Sequence, residues 1–190
     1  MTRPRLQLTL LCALALLCMT AFAGCGKVSN KPGETVIEGL STPLGGLHYT
    51  VFLTRQLNLK NEEDSGYLPG RKEAPPGKGL YGVFLQACNT GSKVENAASS
   101  FYVEDAQGNR FTPVKLARTN PYAYHGGPVP AQNCEPARGS LAQLGPTSGA
   151  LLLFELPLAN TENRPLELHI AGPSGAATAK GNQATVILDI

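Results

Sequence analysis

Glycine and proline interrupt this chain so often that no stretch beyond its first 24 residues sustains the periodicity of a ten-residue amphipathic helix. The 21 glycines and 15 prolines are spread through 190 residues without a triplet repeat, which excludes a collagen-like rod. Between the breaks, apolar residues recur at every second position. Leu47, Tyr49, Val51 and Leu53 alternate with His48, Thr50, Phe52 and Thr54, the period of a strand with one buried face. In residues 80–88, Tyr81, Val83, Leu85 and Ala87 share one face, while Leu80, Gly82, Phe84, Gln86 and Cys88 share the other, and Asn89-Thr90-Gly91 closes the run with turn chemistry. Residues 101–105 and 110–116 flank Gln107-Gly108-Asn109 and predict a hairpin. Residues 140–144, 150–156, 166–171 and 184–190 supply further strands. Seven or eight short strands without a repeat predict an all-β, antiparallel β-sandwich. A chain of this size buries about two thirds of its unfolded surface, so its core needs no metal or cofactor.

The amino terminus follows another logic. Arg3 and Arg5 precede an apolar run at residues 6–23 that ends in Ala21, Phe22, Ala23, Gly24 and Cys25, the layout of an export signal. Ala23 and Gly24 before Cys25 resemble a bacterial lipoprotein box, in which the cysteine receives diacylglycerol; Phe22 stands where that pattern usually has leucine. The alternative is ordinary cleavage after Ala23, which releases a soluble chain. Cysteine counting favours acylation. Cys12 and Cys18 leave with the signal, so an acylated Cys25 lets Cys88 and Cys134 pair with no odd thiol in an oxidising compartment. Such a bridge contributes about 4 kcal/mol in the chain-entropy model. Two buried, unpaired cysteines are the other reading. The expected organisation is a signal at 1–24, a flexible tether at 25–45 and a sandwich at 46–190.

The sequence carries 16 basic and 14 acidic residues, and loss of Arg3 and Arg5 with the signal leaves the mature chain neutral. No basic run drives nucleic-acid binding or attraction to anionic lipid, so the expected membrane contact is the lipid on Cys25. Catalytic and metal signatures are missing as well. His48, His125 and His169 are scattered, with no C-x-x-C or H-E-x-x-H spacing for zinc. Glu62-Glu63-Asp64 lacks the alternating ligands and closing Glu of a calcium loop. Gly172-Pro173-Ser174-Gly175 places proline where a nucleophile elbow needs freedom, and no glycine-rich segment has a Walker lysine. No catalytic residue, metal site or cofactor is expected. An enzymatic alternative would rest on His125 as a base.

Two stretches, residues 61–79 and 119–140, read as long surface loops. Tyr67 in the first and Tyr122, Tyr124 and His125 in the second are the candidate contact residues, because tyrosines on scaffolded loops offer large contact area at low entropic cost. The alternative is that Tyr122 and Tyr124 pack their loop onto the sandwich edge.

Leu80-Tyr81-Gly82-Val83-Phe84-Leu85-Gln86-Ala87-Cys88-Asn89-Thr90-Gly91, the stretch from Phe101 to Phe111 around Asp105-Ala106-Gln107-Gly108-Asn109, and Leu144-Gly145-Pro146 leading to Leu153-Phe154-Glu155-Leu156-Pro157 resemble a bacterial family. It is the telokin-like, immunoglobulin-like domain of unknown function found in lipoproteins and secreted antigens, and the similarity spans residues 46–171. The resemblance implies an immunoglobulin-like sandwich and export, with no common reaction. The expected function is a lipid-anchored, extracytoplasmic, non-catalytic module that binds a protein or small ligand through its long loops. The alternative is a structural envelope component or secreted antigen without a dedicated ligand. Intact mass of the native mature protein is expected to show a diacylated Cys25, with two further thiols alkylated only after reduction; an unmodified chain starting at Gly24 would remove the anchor.

Overall fold

The computed structural model describes residues 31, 33–172 and 182–190. The signal, Cys25 and the first part of the expected tether lie outside the described residues. In chain order the elements are β1 (Thr35–Ile37), β2 (Ser41–Leu44), β3 (Leu47–Leu57), α1 (Glu62–Tyr67), β4 (Lys78–Cys88), β5 (Glu95–Ala97), β6 (Ser100–Glu104), β7 (Arg110–Phe111), β8 (Gly127–Val129), β9 (Cys134–Glu135), α2 (Leu141–Leu144), β10 (Ala150–Pro157), a 3-10 turn (Leu158–Glu162), β11 (Leu166–Ala171) and β12 (Gln183–Leu188). One large sheet has the order β1-β12-β11-β6-β7; the other is β10-β4-β3-β2, with β9 beside the end of β4, and β5 pairs with β8 in a separate two-stranded sheet. Pairing is antiparallel except for β1 with β12. The chain passes between sheets from β4 to β6, from β7 to β10 and from β10 to β11, as in an immunoglobulin-like sandwich.

The main core draws from both sheets: Tyr49, Val51, Val83, Leu85, Val103, Phe154, Leu168, Ile170 and Val186 are all buried. A second cluster holds Leu57, Tyr67, Leu68, Leu80, Phe84, Leu151 and Leu153. Leu80 and Phe84 alternate along β4 with Tyr81, Val83 and Leu85 of the main core, so the clusters occupy opposite faces of the strand. β10 divides in the same way, with Leu151 and Leu153 facing out and Leu152, Phe154 and Leu156 facing in. Strands with two apolar faces need cover on both. A third layer supplies it: α1 with Leu68 behind it, and the strap carrying Val114, Leu116 and Tyr122. Gly82 is required beneath this layer, since a Cβ there would lie 2.9 Å from Leu151 and 3.0 Å from Phe84.

Several expectations change. Residues 35–44 belong to the sandwich, not to a flexible tether: β1 pairs with β12, and Val36 is 4% exposed in the main core. Gly45 and Gly46, with φ of +59° and +80°, form the two-residue turn that pairs Leu44 with Leu47. The long loop at 61–79 contains α1, whose Asn61 side chain accepts from the Glu63 N–H and whose Asp64 meets Arg55 at 2.6 Å. Residues 140–144 are not a strand. Ser140 caps α2 by accepting from the Gln143 N–H; Leu141 and Leu144, three apart at helical spacing, are exposed, and Ala142 is the buried residue. β7 ends at Phe111, well short of residue 116. In β3 the register shifts between Val51 and Leu53, leaving Phe52 and Leu53 each 39% exposed and turning Leu57 toward the second cluster.

Asp105 ties the β6–β7 turn to the 3-10 turn. Its carboxylate accepts from the backbone N–H groups of Gln107 and Asn109 and from the side-chain amides of Asn109, Asn160 and Asn163. Burial pushes the carboxyl up, but these hydrogen bonds outweigh it and hold the group well below the ordinary carboxylate range. A depressed folded pKa contributes stability in full above the unfolded value, near about 4, and loses it as pH falls toward the folded value. Asp105→Asn is therefore expected to lower the urea midpoint at pH 7, by a margin that shrinks as the comparison moves below pH 3.

Candidate functional site

Pro113 borders a cleft between the two large sheets. Proline cannot donate to a ladder, and past β7 the chain leaves its sheet and crosses to β10, where the Val114 N–H donates to Leu153 O at 2.7 Å. Further along, Leu151 donates to Tyr122 O at 2.7 Å and accepts from the Tyr124 N–H at 3.0 Å. The two sheet edges are thus left apart, with Ser99, Ser100 and Phe101 on one side and residues 151–153 on the other, around a cleft of about 500 Å³. Phe101 and Leu152, 6% and 7% exposed, are where the main core reaches this opening. Lys115, Arg118 and His125 are exposed on its rim, and no acidic residue lines it. Neither Lys115 nor Arg118 forms an ion pair among the described residues, whereas Arg55, Arg71, Lys78 and Arg110 all do.

The four residues expected to make contacts are divided by the fold. Tyr67, 2% exposed, packs edge-on against Phe84 at 5.1 Å and Tyr122 at 4.8 Å, and its hydroxyl accepts from the Thr147 N–H at 2.8 Å. Tyr122 is half-buried over the same cluster. Tyr124 meets Phe101 edge-on at 5.1 Å and donates its hydroxyl to Ala98 O at 2.9 Å. On the other side of that residue, the Ala98 N–H donates to the Tyr49 hydroxyl at 2.7 Å, so two phenols clamp its backbone. Burial, reinforced by Tyr49 alongside, pushes the Tyr124 hydroxyl far above its ordinary range, which holds it as a neutral donor. His125 is exposed on the rim, and its backbone N–H donates to Glu135, whose carboxyl burial pushes up against that hydrogen bond. Tyr124 and His125 therefore share the cleft, while Tyr67 and Tyr122 belong to the third layer.

Sequence reasoning misses Lys115 and Arg118 because Lys115 falls within the expected strand at 110–116 and Arg118 just before the expected loop at 119–140. Pro113 was the available signal that the strand ends early. Cys88 and Cys134 form a disulfide and are register partners between β4 and β9, fastening the loop that carries His125. His169, read as a strand histidine, stacks on Tyr102 at 4.5 Å, and Arg110 covers the other part of that aromatic pair at 4.7 Å from the Tyr102 centroid. Burial pushes the His169 imidazole down, partly opposed by Glu104 and Glu167. Among the described residues, no three His, Cys, Asp or Glu side chains gather to hold a metal ion, and no helix is long and apolar enough to cross a membrane.

No family model matches the chain. No curated protein matches it either. Among solved structures, it is similar to the yjhA protein of Bacillus subtilis, with 13% identity and a TM-score of 0.51, covering 81% of this chain and 99% of that one. It is also similar to a "putative lipoprotein (ycdA)" of Bacillus subtilis subsp. subtilis str. 168, with 12% identity and a TM-score of 0.50, covering 78% of this chain and 38% of that one. At these identities the likeness is one of fold, a β-sandwich shared by sequences that have little else in common.

Stability measurements separate the packing residues from the rim. Tyr67→Ala is expected to cost about 3–5 kcal/mol by urea unfolding, as for other buried large-to-small changes. Tyr124→Phe, which removes one hydrogen bond, is expected to cost about 1 kcal/mol. His125→Ala is expected to stay within about 0.5 kcal/mol of the parent.

Proposed function

We propose that this chain is a lipid-anchored, extracytoplasmic immunoglobulin-like module that binds a partner in the cleft between β6 and β10 and performs no covalent chemistry. The observation that carries this reading is the cleft itself: a fixed opening into the core with two unpaired cations and His125 on its rim. Binding sites of this kind join an apolar floor to a few polar groups that orient the ligand. The anchor rests on Cys25. The Cys88–Cys134 disulfide uses the other two cysteines of the mature chain and leaves Cys25 free for acylation. The similarity to a lipoprotein-named sandwich and the resemblance of residues 46–171 to the telokin-like family of lipoproteins and secreted antigens agree with that placement.

A photo-cross-linking residue at position 125, expressed in the native host, is expected to trap a partner. The same residue at position 63, on exposed helix α1, serves as the control. Arg118→Glu is expected to abolish the adduct from position 125. Equal adducts from both positions, or none from 125, would count against the cleft as the binding site.

A further inference from the structure

Among the described residues, no strand pairs with Phe101 on the cleft side of β6. In an antiparallel ladder each residue directs its N–H and C=O to one side, and successive residues alternate. The Gly172 N–H donates to Asn182 O at 2.8 Å, so Gly172 faces β12, and Ala171, His169 and Glu167 face β6. Their register partners Ser100, Tyr102 and Glu104 face back toward β11, which turns Phe101 and Val103 the other way. The opposite end of the hairpin agrees, since the Asp105 N–H donates to Asn109 O at 3.1 Å on the β7 side. Val103 meets Phe111 in β7. Opposite Phe101 the same register calls for Pro113, which has already left the sheet, so both backbone groups of Phe101 open into the cleft. An open backbone edge is a template for another strand.

Charge narrows what can sit there. The rim cations Lys115 and Arg118 have no carboxylate lining the cleft beside them. Residues 1–30 and 173–181, which lie outside the described residues, contain no Asp or Glu and so can bring no carboxylate to the cleft. The floor of Phe101 and Leu152 suits an apolar side chain one residue away from the charge, as alternation along a strand provides. Resting on the reading of this cleft as the binding site, we infer that its occupant is an extended, acidic peptide segment of another protein. The segment adds to Phe101 as a short strand and directs a carboxylate to Lys115 and Arg118.

The test uses the mature protein, isotopically labelled, titrated with the blocked peptide Thr-Val-Glu-Val-Thr and followed by amide shifts. Three further probes are its Glu-to-Gln counterpart, a version N-methylated at the central residues, and inorganic phosphate. The acidic peptide is expected to move the Phe101 and Lys115 amides. Its affinity is expected to fall about tenfold or more in the Gln peptide, in the N-methylated peptide and in the Lys115→Ala/Arg118→Ala variant. Equal binding of the Gln or N-methylated peptide overturns the inference. If phosphate moves Lys115, Arg118 and His125 while the peptide leaves Phe101 unmoved, the occupant is a small anion; the strand inference then fails and the binding cleft stands. If no probe moves a cleft resonance and position 125 traps nothing in cells, both fail together.

Discussion

The structure depends on β4 and β10 being apolar on both faces. Their eight register pairs, from Ala150 with Leu85 to Pro157 with Lys78, form the spine of one sheet. The inward residues find their cover in the opposite sheet. The outward ones, Leu80, Phe84, Leu151 and Leu153, can be buried only if other parts of the chain are drawn across them. That demand recruits both long connections. α1 lays Tyr67 onto Phe84, and Asn120 from the second connection donates to Tyr67 O at 2.8 Å, joining the two where they meet.

The cleft is the residue of the same demand. The strand that would complete the β6 edge is diverted at Pro113 to cover and clip β10, with Val114 on Leu153 and the Tyr122–Tyr124 segment on Leu151. Covering the outer face of one sheet therefore leaves the edge of the other uncovered. The disulfide and the clamp of Tyr49 and Tyr124 on Ala98 fasten the returning loop at its far side.

The long strands were legible because each carries its own evidence: alternation in β3 as far as Val51, two-sided apolarity in β4 and β10, and turn chemistry at Asn89 and at Asp105 to Asn109. The two-sided apolarity of β4 calls for a third layer, but the sequence reading draws none, because residues 61–79 by themselves show only a proline-rich loop and α1 within them is six residues long. β1 was illegible for a different reason. Three residues with one buried valine make no periodicity, and their pairing with β12 spans nearly the whole chain. The same limit hid the cleft, whose walls come from residues 99–101, 112–116, 118, 124–125 and 151–153, none of which marks its neighbours locally. Tyrosine type alone does not say which surface a ring will meet: Tyr67 and Tyr122, expected to contact a partner, pack on the protein's own second cluster.

Strand order relates the cleft to the entry of the chain. The described sandwich starts at β1, on one edge of the sheet β1-β12-β11-β6-β7, and β6 lies three strands away. At about 4.8 Å per strand the open edge of Phe101 is about 14 Å across the sheet from β1. With Cys25 acylated as proposed, nine residues lie between it and Thr35, and the ten steps from one to the other span at most about 35 Å. The described chain enters the sandwich at one edge of this sheet, and the open edge of Phe101 lies toward the other. The strand proposed to add to Phe101 approaches from the side opposite that entry.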